Sequence, residues 1–341
     1  MPASSNTRRQ FLKSGVVATA GLSALSGCTG VGGVGGGGTP SLNLAYTVPV
    51  ENVSSLMAIP EIRDQMENLG SDYELSVSRN SATPDTLNQM SAGEVDIGLL
   101  SSVSYANAVA QDAVPGGIKL VATDFWDAHP DNYGFTTYSL PDSNITSPQD
   151  MRGATVATNG LGTGTHAVYV KMFQKVGLTP GQNVEVVELG FPNMTAALEE
   201  GRIDVGLYAA LFAPQARNKN FNVVFDSHDV WKQYPFAYLA ARNRTIENNQ
   251  DALNAWGQDY VRLLDYIQKN RSKVVSWASE QFDIEQSTID AFFLTKNDYY
   301  REDPVTDIQR MQTVIDNLVS LGMIDSGFNV GEHITNQFVK S

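Results

Sequence analysis

Cysteine is almost absent from this sequence, and histidine is scarce. The single cysteine among 341 residues is Cys28, which excludes a disulfide within the chain and a cysteine-based metal site. The four histidines are His129, His166, His228 and His333. None of them has H-x-x-H or H-E-x-x-H spacing, and no G-x-S-x-G nucleophile motif occurs. The sequence therefore predicts no metal, no cofactor and no catalytic residue.

Long apolar runs and an excess of basic charge are also missing. The one apolar stretch near the N-terminus, residues 14–24, is too short and too rich in Gly, Ser and Thr for a membrane-spanning helix of about 20 residues. The 37 acidic residues outnumber the 23 basic ones, so we expect no nucleic-acid partner. Lysine is scarcer than arginine and the acids are spread along the chain, a pattern typical of halophilic archaeal proteins.

The N-terminus has the features of an export signal. The stretch TRRQFLK, residues 7–13, resembles a twin-arginine signal, and LSGC, residues 25–28, resembles a lipoprotein box. We therefore expect residues 1–27 to be removed and Cys28 to be lipidated; the alternative is an unmodified thiol. Residues 28–40 are mostly glycine, and we expect them to form a flexible tether of roughly 20 Å. The predicted location is the outer face of the cytoplasmic membrane, to which the lipid anchors the protein.

An internal repeat gives the clearest structural prediction. Residues 84–99 and 192–207 both read P-[DN]-x4-[ML]-x2-G-x-[VI]-D-[IV]-G-L, with an offset of 108 residues and no gap. Each copy predicts a helix that ends at glycine and is followed by a buried strand. A β-α-β pattern precedes both copies, with a helix expected over residues 60–70 in the first. The sequence thus predicts an α/β fold of two lobes, each with a mostly parallel sheet and right-handed crossovers.

The C-terminal third changes character, because one strand-like segment, residues 236–243, is followed by amphipathic helical patterns. We interpret residues 132–140 and 236–243 as two hinge crossings that bracket the second lobe. The predicted domains are therefore residues 41–136 plus 237–341 for the first lobe and residues 137–236 for the second.

Ligands of open parallel sheets bind beyond the carboxyl ends of the strands, and two facing lobes would bring those ends to one cleft. The loops concerned are rich in hydroxyls, amides and aromatic rings. The predicted ligand-binding residues are Tyr46, Asn52, Arg79, Ser101, Ser102, Trp126, Asn159, Thr163, Gly164, Thr165, Asn193 and Tyr208.

Each of these residues also has an ordinary structural interpretation. Ser101, Ser102 and Thr165 could cap helices, and Trp126 and Tyr208 could be core aromatics. Arg79 could be a solvated residue at a strand end. Five asparagines lie in N-x-S/T sequons and could be glycosylated in an exported protein: Asn52, Asn144, Asn193, Asn243 and Asn270.

The glycine-rich loop of residues 159–165 matches neither G-x-G-x-x-G nor a P-loop, yet its backbone could approach a ligand closely. Residues 41–330 resemble the substrate-binding lipoproteins of ABC importers for nitrate, aliphatic sulfonates, taurine and thiamine-pyrimidine precursors. The resemblance is most specific over residues 147–216. The resemblance implies a type II periplasmic-binding fold, one small-molecule solute and an ABC permease as partner. It also implies that the turn of residues 162–165 touches the ligand, although GTGTHA departs from the usual family pattern.

Two other functions stay open, an enzyme similar to those of pyrimidine-precursor synthesis and a surface sensor of solutes. The ligand is open as well. Helix N-termini and Arg79 suit an oxyanion, whereas Phe125, Trp126 and Tyr208 suit a planar heterocycle, with Asp124 accepting a hydrogen bond from its amino group.

Overall fold

Two five-stranded sheets organise the computed structural model, which describes residues 38–340. The predicted signal, Cys28 and most of the tether lie outside the described residues. The strands are β1 (Ser41–Tyr46), β2 (Glu74–Arg79), β3 (Ile97–Ser101), β4 (Ile118–Trp126), β5 (Thr136–Ser139), β6 (Thr155–Thr158), β7 (Glu185–Glu188), β8 (Val205–Tyr208), β9 (Asn222–Asp226) and β10 (Pro235–Arg242).

Helices flank both sheets, and within residues 38–340 none is long and apolar enough to cross a membrane. The α-helices are α1 (Pro60–Arg63), α2 (Thr83–Ala92), α3 (Ser102–Ala110), α4 (Gly164–Val176), α5 (Met194–Glu199), α6 (Ala213–Asn218), α7 (Asn243–Asn248), α8 (Gln250–Lys269), α9 (Arg271–Phe282), α10 (Gln286–Asp290) and α11 (Ile308–Ser320). Short 3-10 helices lie at Val53–Ala58, Pro148–Met151, Phe191–Asn193, Ser227–Asp229 and Val330–His333.

The two sheets have the same topology. The first has the order β2-β1-β3-β10-β4 and the second β7-β6-β8-β5-β9. In each, one strand, β10 or β5, runs antiparallel to both neighbours, and the other four point the same way. The predicted α/β class with two mostly parallel sheets is therefore confirmed.

The sequence repeat corresponds to this repeated topology. After α2, Gly93 has a φ of 82°, and after α5, Gly201 has a φ of 66°. Glycine adopts this left-handed conformation without the steric cost that a side chain brings, so it ends the helix and turns the chain into the next buried strand. That strand is β3 in the first copy and β8 in the second.

The antiparallel strand of each sheet lies where the chain passes from one sheet to the other. The chain leaves the first sheet after β4 and enters the second as β5; it leaves the second after β9 and returns as β10. The remaining residues cover the first sheet, where Thr335 N donates to Leu120 O at 2.9 Å. That these two passages are hinges, and that the lobes have the predicted boundaries, stays a prediction.

The helix expected over residues 60–70 is wrong in length, because α1 ends at Arg63. The following loop is held by Asp259, a fully buried residue of α8. Its carboxylate accepts hydrogen bonds from the backbone of Glu67 at 3.1 Å and of Asn68 at 3.2 Å, and from the Tyr73 hydroxyl at 3.0 Å. A contact with a residue almost 200 positions away thus replaces the local helix.

Candidate functional site

A cavity lies between the two sheets, at the carboxyl ends of their strands. It has about 420 Å³ of empty space, part of it open to solvent, but the centre of a water molecule can move through only about 30 Å³. The cavity therefore has room for a small ligand only. This central cavity is lined by Thr47, Val48, Glu51, Asn52, Thr83, Leu99, Ser101, Phe125, Phe135, Asn159, Thr163, Thr165, Phe191, Phe236 and Ala237.

Five of the twelve predicted binding residues line the cavity. They come from both sides, since two follow or end strands of the first sheet and three follow β6 of the second. Whether they contact a ligand stays a prediction. The five are Asn52, Ser101, Asn159, Thr163 and Thr165.

Hydroxyl groups from both sides meet where three helices begin. Ser101 Oγ accepts from Ser104 N at 3.2 Å and so caps α3, while Thr83, at the start of α2, shares a 2.7 Å hydrogen bond with Ser104 Oγ. At the start of α4, the Thr163 and Thr165 hydroxyls are 2.9 Å apart. Helix N-termini carry partial positive charge, so this end of the cavity favours an acceptor or anionic group.

The glycine loop contacts the first sheet directly. Gly164 N donates to Ser101 Oγ at 3.2 Å, and Gly164 packs against the ring of Phe236, since a Cβ added there would lie 2.3 Å from Phe236 Cε2. Thr163 Oγ1 donates to Gly160 O at 2.6 Å and holds the turn. Only a residue without a side chain lets α4 approach β10 this closely.

Four phenylalanines form the apolar part of the wall. Phe236 stacks on Phe125 with centroids 5.5 Å apart and packs against Phe135 at 4.7 Å; Phe135 stacks on Phe191 at 6.4 Å. Such rings bury a flat organic surface and exclude water from neighbouring polar groups.

Glu51 is the one ionisable residue of the cavity wall among the described residues, and the sequence reasoning missed it. It is 1% exposed, lines the cavity, and accepts a 2.5 Å hydrogen bond from Leu211 N, which follows β8 of the second sheet. Burial raises the pKa of the Glu51 carboxyl to about 8, opposed by that hydrogen bond and by Arg301. The signal available in the sequence was a single acid within the otherwise uncharged run TVPVENVSSLMA.

Seven predicted residues do not line the cavity. Trp126 is the neighbour of Phe125 in β4 and so points away, where its ring lies 5.9 Å from that of Tyr300 and 5.4 Å from the Arg310 guanidinium. Tyr208 is buried, and its hydroxyl bonds Thr195 at 3.0 Å.

The other five residues contact neighbouring protein groups or face solvent. Ser102 bonds the Tyr234 hydroxyl at 2.7 Å, and Tyr46 packs against Phe282. Arg79 is exposed and donates to Thr47 O at 3.2 Å, so no cation lines the cavity among the described residues. Gly164 lies behind Phe236, and Asn193 is exposed.

Asp124 does not line the cavity, although we expected it to accept a hydrogen bond from the ligand. It is buried beside the cavity, where its carboxylate accepts from Val53 N, Ser54 N and the Tyr260 hydroxyl at 3.3, 3.4 and 3.0 Å. Burial raises the pKa of Asp124 to about 6, against the lowering effect of Arg301. Because these donors already satisfy it, Asp124 positions the 3-10 helix after Glu51.

His166 lies near the glycine loop but not in the cavity wall. Its Nδ1 accepts from Gly162 N at 3.2 Å, and burial lowers its pKa, so the neutral ring supports the turn. Among residues 38–340, no group of three or more His, Cys, Asp or Glu side chains is arranged to hold a metal ion. The cavity wall offers a ligand hydrogen-bonding groups, helix N-termini and aromatic rings.

Comparison with solved structures shows the fold. The aliphatic sulphonate binding protein SsuA of Escherichia coli has a TM-score of 0.68 at 15% identity, covering 89% of this chain and 100% of that one. The alkanesulfonate-binding protein SsuA of Xanthomonas axonopodis pv. citri, bound to MOPS, has a TM-score of 0.71 at 13% identity, with coverage of 88% and 99%. The nitrate-binding protein NrtA of Synechocystis PCC 6803 has a TM-score of 0.69 at 11% identity, with coverage of 88% and 87%.

No curated protein matches the sequence of this chain. The family model described as "NMT1/THI5 like" matches residues 72–270, more than half of the chain. The predicted resemblance is thereby confirmed at the level of family and fold. The chain belongs to the NMT1/THI5-like family and has the two-sheet fold of periplasmic binding proteins.

Proposed function

We propose that this protein is the extracytoplasmic solute-binding component of an ABC importer, and that it captures one small ligand in the central cavity. The observation that carries the proposal is the cavity itself, whose polar wall is contributed by loops of both sheets. A ligand that contacts both sides would favour the closed arrangement, and the two chain passages would act as hinges. Release to a membrane permease would follow reopening.

Direct hydrogen bonds join the two sides of the cavity and would hold the closed arrangement. Besides the Gly164–Ser101 bond, Leu211 N donates to Glu51 Oε1 at 2.5 Å and Ala210 N donates to Tyr299 Oη at 3.1 Å. Together with the packing of Gly164 on the Phe236 ring, these bonds would stabilise the closed arrangement.

A binding role is favoured over an enzymatic one. No His, Cys or Lys lies in the cavity wall among the described residues, so the serine and threonine hydroxyls of the wall have no histidine or lysine base beside them there, and Glu51 is its one carboxyl. The structural neighbours named for sulfonate and nitrate support a small polar ligand. A sensor would share the same cavity and would differ only in its partner.

The N-terminal segment completes the proposal. Export, removal of residues 1–27 and a lipid on Cys28 would place the body on the outer face of the membrane, beside the permease. Mass spectrometry of the protein from its native membrane should show the lipid on an N-terminal Cys28, and Cys28→Ala should release the protein into the medium. An unmodified Cys28 would refute the anchor.

The binding role is tested by thermal unfolding of the purified protein in high salt with nitrate, bicarbonate, alkanesulfonates, aminoalkanesulfonates, aminopyrimidines, thiamine and riboflavin. A specific ligand at a hundred times its Kd adds about 2.7 kcal/mol of stability. Asn159→Ala should abolish that stabilisation, because Asn159 lines the cavity, whereas the control Asn144→Ala, on an exposed loop, should retain it. Stabilisation that is equal in both variants would show that the ligand binds elsewhere.

A further inference from the structure

We propose that closure of the central cavity takes up a proton on Glu51, so that the protein binds its ligand and a proton together. The inference rests on the proposed solute-binding function and adds the proton to it as a second ligand. It starts from a buried cluster of charges at the cavity wall, in which three carboxyls, those of Glu51, Asp124 and Asp298, lie near one guanidinium, that of Arg301.

The cluster holds more negative than positive charge. The three carboxyl residues are at most 2% exposed and Arg301 is 4% exposed, so water does little to screen them. No Arg, Lys or His lines the cavity among the described residues to balance the excess. An uncompensated buried charge is strongly unfavourable, and a buried carboxyl avoids it by binding a proton. We therefore expect protonation within this cluster when the cavity is closed.

Glu51 is the carboxyl with the least support for a negative charge. Asp298 pairs with Arg301 and also accepts from two backbone N–H groups, at 2.7 and 2.9 Å. Asp124 accepts from two backbone N–H groups and a tyrosine hydroxyl. Among the described residues, Glu51 has one donor, Leu211 N at 2.5 Å. Burial raises the pKa of the Glu51 carboxyl to about 8 and that of Asp124 to about 6, so Glu51 is the first to take a proton as the pH falls.

The other titratable groups beside Glu51 leave this assignment unchanged. Arg301 favours ionisation of the Glu51 carboxyl and Asp298 opposes it, and both lie on the side of the first sheet. The hydroxyls of Tyr133 and Tyr299 are also close, and burial raises the pKa of each, so both stay neutral. From the second sheet, Glu51 meets the uncharged N–H of a backbone amide.

The position of Glu51 links its proton to closure. The donors to Asp124 and Asp298 all belong to the side of the first sheet, and Glu51 O accepts from Arg301 Nη1 at 2.5 Å on that same side. Leu211 N, in contrast, follows β8 of the second sheet. Separation of the two sides would remove this donor and admit water to the Glu51 carboxyl, while the other two carboxyls would keep their partners.

The direction of the effect follows from the two pKa values. A solvated glutamate returns toward its ordinary pKa of 4.5, whereas the closed protein holds the proton up to a pH of about 8. Between these values, closing the cavity binds a proton, so a lower pH favours the closed arrangement. By linkage, a lower pH also strengthens ligand binding.

Calorimetry on the purified protein tests the inference with the compound of the panel that stabilises it most, beginning with ethanesulfonate and nitrate, whose charges do not change between pH 5 and pH 8. The Kd should rise about tenfold or more from pH 6 to pH 8. Titrations in buffers of different ionisation enthalpy should show uptake of up to about one proton for each ligand bound.

Two variants assign the proton. Glu51→Gln resembles the protonated side chain, so it should bind at pH 8 about as tightly as the wild type does at pH 6, and its Kd should change little with pH. Glu94→Gln removes an exposed carboxyl in the loop after α2 and is the matched control, which should keep the pH dependence of the wild type. Proton uptake by the wild type decides the coupling even where Glu51→Gln fails to fold.

Three outcomes would overturn the inference. Equal wild-type Kd at pH 6 and pH 8, with no proton uptake, would refute the coupling and leave the solute-binding function standing. A pH dependence that persists in Glu51→Gln would show that another group takes up the proton. Failure of every compound in the panel to bind would refute the proposed function, and the inference with it.

Discussion

Gly164→Ala is the sharpest test of closure between the two sheets. The added Cβ would lie 2.3 Å from Phe236 Cε2 and 2.8 Å from Cζ, whereas carbon atoms in contact are normally about 3.5–4.0 Å apart. The Phe236 ring packs against Phe125 and Phe135, and it also lines the cavity. The clash would therefore be relieved by separating α4 from β10 or by moving the ring into the cavity, and either change disturbs the closed site.

The magnitude follows from the cost of overpacking. Adding a methyl group to a closely packed site costs about 1–3 kcal/mol. Gly164 and Phe236 belong to different sides of the cavity, so this cost falls on the closed arrangement and not on either side alone. Since about 1.4 kcal/mol is a factor of ten, the apparent Kd should rise about 5- to 150-fold.

Isothermal calorimetry with the compound that most stabilises the wild type measures this rise, and the melting temperature without ligand shows whether either side unfolds. Gly190→Ala is the matched control, because its Cβ would meet no atom closer than 3.9 Å and its φ of −58° suits alanine. Unchanged affinity in Gly164→Ala would refute the reasoning, whatever its melting temperature.

Three further predictions concern single side chains. Burial raises the pKa of the Glu51 carboxyl from 4.5 to about 8, so as the pH rises the unfolded chain loses the carboxyl proton before the folded protein does. The free energy of unfolding should therefore fall between those two pH values, by at most about 1.4 kcal/mol per pH unit. Denaturant titrations at pH 5 to 8 should give a flatter profile for Glu51→Gln, and identical profiles would contradict the burial effect. Asp259→Ala should lower the free energy of unfolding by about 3 kcal/mol in urea titrations without changing ligand affinity, because it strands the buried Tyr73 hydroxyl and two partly buried backbone donors. A loss below about 1 kcal/mol would not fit these contacts. Thr163→Ala should raise the ligand Kd about 2- to 10-fold, the value of one hydrogen bond, and unchanged calorimetric affinity would remove Thr163 from the site.

Sequence reasoning located the loops of the site better than the side chains in it. Adjacent residues of a strand point to opposite faces, so a one-residue uncertainty exchanges Phe125 for Trp126. The same reasoning named Asn52 and overlooked Glu51, because an acid in a loop is ordinarily solvated. Its burial depends on Leu211 and Arg301, which are 160 and 250 residues away.

The sequence by itself determined the fold class. Its 108-residue repeat, the glycines that end the helices and the apolar strands are local patterns, and each forms its element from neighbours along the chain. The tertiary structure decided the contents of the cavity and the length of α1, where Asp259 redirects the following residues. Those features depend on contacts between distant residues, because the direction of a side chain is set by what packs around it and not by its position in a motif.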